Sequence, residues 1–532
     1  MAVSYSARAW ILAQQASSGC EVELSVVAPN NRNGTPLLST GIAGLDDILG
    51  GGFSHNHLYL IEGDPGTGKT TIALQFLLEG ARLGQVGLYV ALSESRAELM
   101  EIGESHGWSL GSVNIFEMIP DDNDLKPEAQ YTVFHPSEVE LADTTAAVLL
   151  EVDRLQPTRV VFDSLSELRM LARDSLRYRR QVLALKRYFA GRNCTVLLLD
   201  DRTGEGHDLQ LQSISHGVVM LESLEREYGI KRRRMEIRKL RGAQFREGFH
   251  DYSIQRGGLE VYPRLIASEH STDFPPMQIA SGIKELDQLF GGGIDSGTSA
   301  LLMGPAGCGK STLAIRYAVS AAESGLSAAV FAFDETLNTL AGRAKGLGMD
   351  MEPHIQSGKL ILRQVDAAEL SPGQFVHAIS DLVTNQGVKL MIIDSLNGFL
   401  NAMPGEKFLA LQMHELMGYL AHKGVATLLT LAQHGFVGTN ISAPVDVSYL
   451  ADSVLLFRYF EAAGEVRQAL SVIKKRSGEH ERTIRELVMK NGVIRVGKAL
   501  VDFDGVLTGV PKYHGKLEGL EDVSGKVVKS VA

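Results

Sequence analysis

Cysteine is nearly absent from this chain. Cys20, Cys194 and Cys308 are the only three in 532 residues, and they are too far apart for a disulfide framework or a metal-binding pattern. Long apolar runs are missing too. No stretch of about eighteen apolar residues occurs, so no membrane-spanning helix is expected. The opening "MAVSYSARAWILAQQASSGCEVEL" lacks a basic start followed by a clean apolar segment, so no secretory signal is read there. Positive charge is not in excess: 52 Lys and Arg face 63 Asp and Glu, for a net charge of −11. That balance argues against a protein whose main task is gripping nucleic acid. These absences leave the expectation of a protein of the reducing cytoplasm without membrane partners.

What is present is a repeat. "STGIAGLDDILGGGFSHNHLYLIEGDPGTGKTTIALQFLLEG" stays in register, without a gap, with "ASGIKELDQLFGGGIDSGTSALLMGPAGCGKSTLAIRYAVSA". A period of this length marks a duplicated domain rather than a solenoid. Each copy continues as short apolar strands alternating with helical segments. The first has "VGLYVAL", "TRVVFDSL", "CTVLLLD" and "GVVMLE"; the second has "AAVFAF", "KLMIIDSL", "VATLLTL" and "SVLLFRYF". Continuous apolar strands separated by helices predict an α/β fold, with a mainly parallel sheet buried on both faces in each copy. The expected boundaries are a tail over 1–34, domains over 35–262 and 278–509, a linker over 263–277, and a tail over 510–532.

Both copies carry Gly-x4-Gly-Lys-Ser/Thr between a strand and a helix. Successive backbone N–H groups of such a loop converge on phosphate. The first comprises Gly63, Gly66, Thr67, Gly68, Lys69, Thr70 and Thr71; the second comprises Gly304, Gly307, Cys308, Gly309, Lys310, Ser311 and Thr312. Lys69 and Lys310 are expected at the β- and γ-phosphates of ATP, with the Thr70 and Ser311 hydroxyls on Mg²⁺. Cys308 replaces Thr67 and raises the idea of a redox brake, against the plainer reading of a small residue whose backbone does the binding.

A second anchor for Mg²⁺ is expected at a strand end. Asp163 in "RVVFDSL" and Asp394 in "LMIIDSL" both follow apolar runs downstream of a P-loop. Hydrolysis further needs a carboxylate to orient or deprotonate water. Glu94 in "YVALSES" aligns with Glu335 in "VFAFDET", and Ser93 aligns with Asp334. The ordinary alternative for Glu94 and Glu335 is a solvated loop carboxylate.

The two P-loops, the two strand-end aspartates, "GLDDILGGG" with "ELDQLFGGG", and the late segments "RKLRGAQF" and "IKKRSGEH" together resemble the KaiC family of RecA-like ATPases. The likeness covers nearly the whole chain, and the C-terminal "FDGVLTGVPKYHG" resembles the tails of bacterial family members outside the clock system. It implies two tandem RecA-like P-loop NTPase domains in a homohexameric double ring, with ATP between neighbouring subunits. It implies that Lys239, Leu240 and Arg241, and in the second copy Lys474 and Arg476, reach the neighbour's nucleotide, where a cation stabilises charge on the transferring phosphoryl group. Regulators of the KaiA and KaiB type are the implied partners.

Departures from the family pattern bear on the chemistry. Two adjacent acids are implied where the chain has Ser93-Glu94 and Asp334-Glu335, and the first of each pair is the implied water activator. The first copy has serine there, so the two sites are not expected to hydrolyse ATP equally. The implied autophosphorylated Ser-Thr pair falls on Ser448 and Tyr449, which leaves Ser448 as a candidate phosphosite and argues against an ordered two-step clock cycle. Two other functions compete with an ATP-hydrolysing signalling or timing ring. A DNA-dependent motor would need basic pore loops; only the first copy offers them, in "SELRMLARDSLRYRR". A nucleotide-sensing scaffold with little turnover would follow if Glu94 cannot stand in for the missing acid.

Overall fold

The computed structural model describes residues 37–118, 136–172, 174–202, 209–225, 229–366, 368–401, 409–433, 450–462, 464–490, 492–507 and 511–514. Ser448, Tyr449 and the 1–34 tail lie outside them. Contacts divide the chain into two compact units, and each copy of the repeat supplies one nine-stranded sheet.

The first sheet contains β1 (Leu58–Gly63), β2 (Gly87–Ala91), β3 (Asn114–Glu117), β4 (Arg159–Asp163), β5 (Thr195–Asp201), β6 (Gly217–Leu224), β7 (Arg232–Leu240), β8 (Phe249–Gln255) and β9 (Gly258–Tyr262), in the order β3-β2-β4-β5-β1-β6-β7-β8-β9. β1 runs parallel to both β5 and β6, with Gly63 opposite Asp201. β1, β2 and β4 are buried at every residue. This explains why they read as unbroken apolar runs rather than alternating ones. The helix Lys69–Arg82 turns Ile72, Ala73, Phe76 and Leu77 inward, at the spacing of one helical face.

In the second copy, β10 (Gln278–Ile279) and β11 (Ile294–Asp295) form a short antiparallel pair. The large sheet contains β12 (Ser299–Gly304), β13 (Ala328–Ala332), β14 (Leu360–Gln364), β15 (Leu390–Asp394), β16 (Ala426–Ala432), β17 (Ser453–Ala462), β18 (Glu465–Lys475), β19 (Arg485–Lys490) and β20 (Val493–Ala499). Its order, β14-β13-β15-β16-β12-β17-β18-β19-β20, repeats the first. Strands β12 to β17 pair in parallel and β17 to β20 antiparallel. Apolar residues cover both faces of the sheet. Two tandem α/β domains with mainly parallel sheets are therefore the fold.

The repeated "GLDDILGGG" and "ELDQLFGGG" segments have a structural job. Asp46 Oδ1 accepts from the Thr40 N–H at 2.8 Å and the Thr40 hydroxyl at 2.7 Å. Asp287 Oδ1 accepts from the Ser281 N–H and hydroxyl, both at 2.7 Å. A Cβ on Gly52 would come 2.3 Å from the Leu38 carbonyl oxygen, and one on Gly293 would come 2.6 Å from that of Ile279. Only glycine permits this approach of two backbones. Beyond β20, β21 (Phe503–Asp504) pairs with β22 (Lys512–Tyr513). Phe503 and Val506 pack on Phe460 and Ala469, and β22 lies beyond residue 509.

Candidate nucleotide sites

Each P-loop leaves the end of a central strand and enters a helix through glycines that only a left-handed backbone accommodates. φ is +78° at Gly66 and +94° at Gly68; it is +75° at Gly307 and +96° at Gly309. The lysines are buried and fold back over their own loops. Lys69 Nζ donates to the carbonyls of Gly63 at 2.9 Å and Asp64 at 3.2 Å. Lys310 Nζ donates to those of Gly304 at 2.9 Å and Pro305 at 2.6 Å. Thr71 and Thr312 are buried behind the loops. Thr67 braces the first loop through its hydroxyl, which donates to the Asp64 carbonyl at 2.7 Å.

Cys308, the counterpart of Thr67, is fully buried, and burial raises its thiol pKa above the ordinary cysteine value. A responsive cysteine needs an exposed, low-pKa thiol. The idea of a redox brake at Cys308 is therefore overturned, and the plainer reading stands.

The expected second anchors meet the loop hydroxyls. Thr70 Oγ1 donates to Asp163 Oδ2 at 2.8 Å, and Ser311 Oγ donates to Asp394 Oδ1 at 3.0 Å. Both aspartates are buried, and burial raises their pKa. Each needs a further donor, and the copies find it on different strands. Tyr89 on β2 donates to Asp163; Thr430 on β16 donates to Asp394. Neither Tyr89 nor Thr430 was among the expected site residues.

The acids of the two copies are held differently. Glu94 is half-buried, with one carboxylate oxygen buried and unpartnered among the described residues. Its pKa is pushed up to about 7, first by burial and then by the charges of Asp163, Glu98 and Asp201. In the second copy Asp334 accepts from Ser395. Glu335 is clamped by Arg343 at 2.5 Å, and the same guanidinium reaches the Thr312 hydroxyl at 2.5 Å. In the gapless alignment, Ile102 stands where Arg343 does, so the first copy has no such clamp among the described residues.

Another difference lies at the end of β5. Asp201 forms an ion pair with Lys69 at 2.6 Å. Consecutive strand residues face opposite ways, and Asp200 instead holds Arg169. Asp200 is pushed up to about 6, chiefly by burial. Asp201 was not among the expected site residues, although the polar end of the apolar run "CTVLLLDD" carries the same signal as the Asp163 strand.

The late cations lie on the surface of their own domains. Lys239 Nζ donates to the carbonyls of Gln212 and Ser215, and Arg241 donates to that of Ser213 at 2.7 Å. Lys474 donates to the Ala451 carbonyl at 2.7 Å, and Arg476 lies 3.2 Å from Asp452. Leu240 is different. Its side chain is buried in its own domain, so within this segment the cations and the backbone are the parts a neighbour can meet.

A family model for KaiC ATPases matches residues 38–266 and again 279–501. The circadian clock oscillator protein KaiC of Parathermosynechococcus lividus is 26% identical over 492 residues, covering 90% of this chain and 88% of that protein. That of Thermosynechococcus vestitus is 27% identical over 488 residues, covering 89% and 91%. The circadian clock protein KaiC3 of Synechocystis is 26% identical over 501 residues, covering 93% and 98%.

Proposed function

The chain belongs to the KaiC family of ATPases, and from that premise we propose that it is an Mg²⁺-dependent ATP-hydrolysing ring with two chemically unequal sites. The observation that carries this reading is the repeated assembly of P-loop lysine, loop hydroxyl and buried aspartate. Paired with a loop hydroxyl, one carboxylate offers the hard oxygen donors that Mg²⁺ prefers, and phosphate oxygens and water complete its shell. No cluster of three or more His, Cys, Asp or Glu exists among the described residues. That fits an ion held together with its nucleotide rather than in an all-protein cage. Thr70 with Asp163, and Ser311 with Asp394, would hold Mg²⁺, which supplies charge neutralisation on the phosphates when bound.

The protein's own groups divide the remaining work. Backbone N–H groups of Gly66 to Thr70, and of Gly307 to Ser311, bind phosphate oxygens. Lys69 and Lys310 place positive charge where the β,γ-bridge breaks. In the first copy Glu94 takes the proton of the attacking water; a base with a pKa near neutrality suits that task. In the second, Asp334 and Glu335 share the role, with Glu335 restrained by Arg343. Arg241 and Arg476 would complete the sites of neighbouring subunits in a homohexameric double ring.

The physiological role proposed is signalling or circadian-type regulation with partners of the KaiA and KaiB type. Autophosphorylation of Ser448 is supported by its aligned position alone. The DNA-dependent alternative loses ground because Arg169, one of its basic residues, is occupied by Asp200. The scaffold alternative loses ground because Glu94 has the character of a working base.

Phosphate release with Lys69→Ala and Lys310→Ala tests the proposal. Each substitution should remove one copy's share of turnover, and both together should abolish it. Undiminished release by the double variant would sink it.

A further inference from the structure

We propose that Asp201 is a specificity-determining residue that sets the first site apart by weakening its preference for nucleoside triphosphate over diphosphate. This rests on the reading of both loops as nucleotide sites and asks how they differ. Equivalent register positions locate the difference: Asp201 lies opposite Gly63, whereas Ala432 lies opposite Gly304. Lys69 therefore holds a carboxylate at 2.6 Å in addition to two loop carbonyls. Lys310 holds two loop carbonyls, donates to the uncharged Cys308 Sγ at 3.8 Å and makes no ion pair among the described residues.

The ammonium that Asp201 occupies is the group required at the β,γ end of the nucleotide. A phosphate oxygen sharing it would sit only about 5 Å from the carboxylate, given ordinary hydrogen-bond lengths. Like charges that close repel appreciably at a half-buried site. The γ-phosphate brings the extra negative charge to this end, so the repulsion falls more heavily on triphosphate than on diphosphate. Ser166 Oγ donates to Asp201 at 3.3 Å and steadies the carboxylate where it is. The second loop, with a methyl group in that place, carries no such penalty.

Reciprocal exchange tests this. ATP and ADP are titrated separately by displacement of a fluorescent analogue. Lys310→Ala protein reports the first loop and Lys69→Ala protein the second. Asp201→Asn should raise the ATP-to-ADP affinity ratio of the first loop by roughly five- to tenfold. Ala432→Asp should lower that of the second by a similar factor. A first-loop ratio within about twofold of its starting value overturns the inference. If Asp201→Asn fails to fold, the outcome for Ala432→Asp decides alone, and an unchanged second-loop ratio overturns it. Loss of all nucleotide binding in the Lys310→Ala protein would be a separate result: it defeats the parent reading of the first loop and this inference with it.

Discussion

In the proposed mechanism, Glu94 is the residue on which the first site depends. With its pKa near 7, it gains base character as pH rises, so first-site turnover in Lys310→Ala protein should climb through pH 7 and level off above about pH 8. Glu94→Gln should reduce that turnover at least about 100-fold and remove the pH step; phosphate release across pH 6 to 9 checks both. The same shift bears on stability. The folded state holds the proton more tightly than the unfolded chain, whose reference value is 4.5. Glu94 therefore contributes stability at low pH that is lost as pH rises through its folded value. Glu94→Gln should raise the melting temperature relative to the parent at pH 8 but not at pH 4. The loops and strand-end acids were legible in the sequence because phosphate and Mg²⁺ chemistry demand fixed residue types at fixed offsets. The roles of Asp201, Arg343 and Thr430 were not. Their partners are distant in sequence, and only the strand order brings Lys69 to Asp201 and Asp394 to Thr430.

At the scale of elements, the two copies keep one sheet order yet hold the buried aspartate from different strands. In the first the extra donor hangs from β2; in the second it hangs from β16. Removing either hydroxyl leaves a buried carboxylate short of one hydrogen bond, which costs about 1–3 kcal/mol. Tyr89→Phe should impair only first-site turnover, and Thr430→Val only second-site turnover, as read by phosphate release with the other loop silenced. The strands themselves were visible in advance as apolar runs, because burial on both faces removes alternation. The β21–β22 pair was not visible. It lies in a stretch with mixed apolar and polar residues, and tertiary packing of Phe503 and Val506 on Phe460 and Ala469 decides the matter.

For the whole molecule, the duplicated fold followed from an ungapped repeat, while the ring is a proposal that rests on the likeness to the KaiC family. Lys239 and Arg241 bind only backbone carbonyls of their own domain in the contacts described, so no acidic partner must be broken to present Arg241 elsewhere. In a ring, a subunit with Arg241→Ala spoils its neighbour's site and leaves its own loop intact. Mixing Arg241→Ala subunits with Lys69→Ala subunits, in a Lys310→Ala background, should restore measurable phosphate release that neither shows alone. Failure to complement, or a single-chain mass by light scattering at saturating ATP, would argue against shared sites.

The strands beneath the two P-loops differ in one further respect. A Cβ on Gly68 would strike Ile254, whereas one on Gly309 would strike the terminal methyl of Met489. A thioether thus sits under one phosphate cradle and a hydrocarbon under the other. Peroxide turns methionine into a bulkier, polar sulfoxide, so mild oxidation should weaken ATP binding at the second cradle and spare the first. Met489→Leu should abolish that sensitivity. With Cys308 sealed in the core, Met489 brings an oxidant-sensitive sulfur beneath the second cradle from almost two hundred positions downstream in the chain.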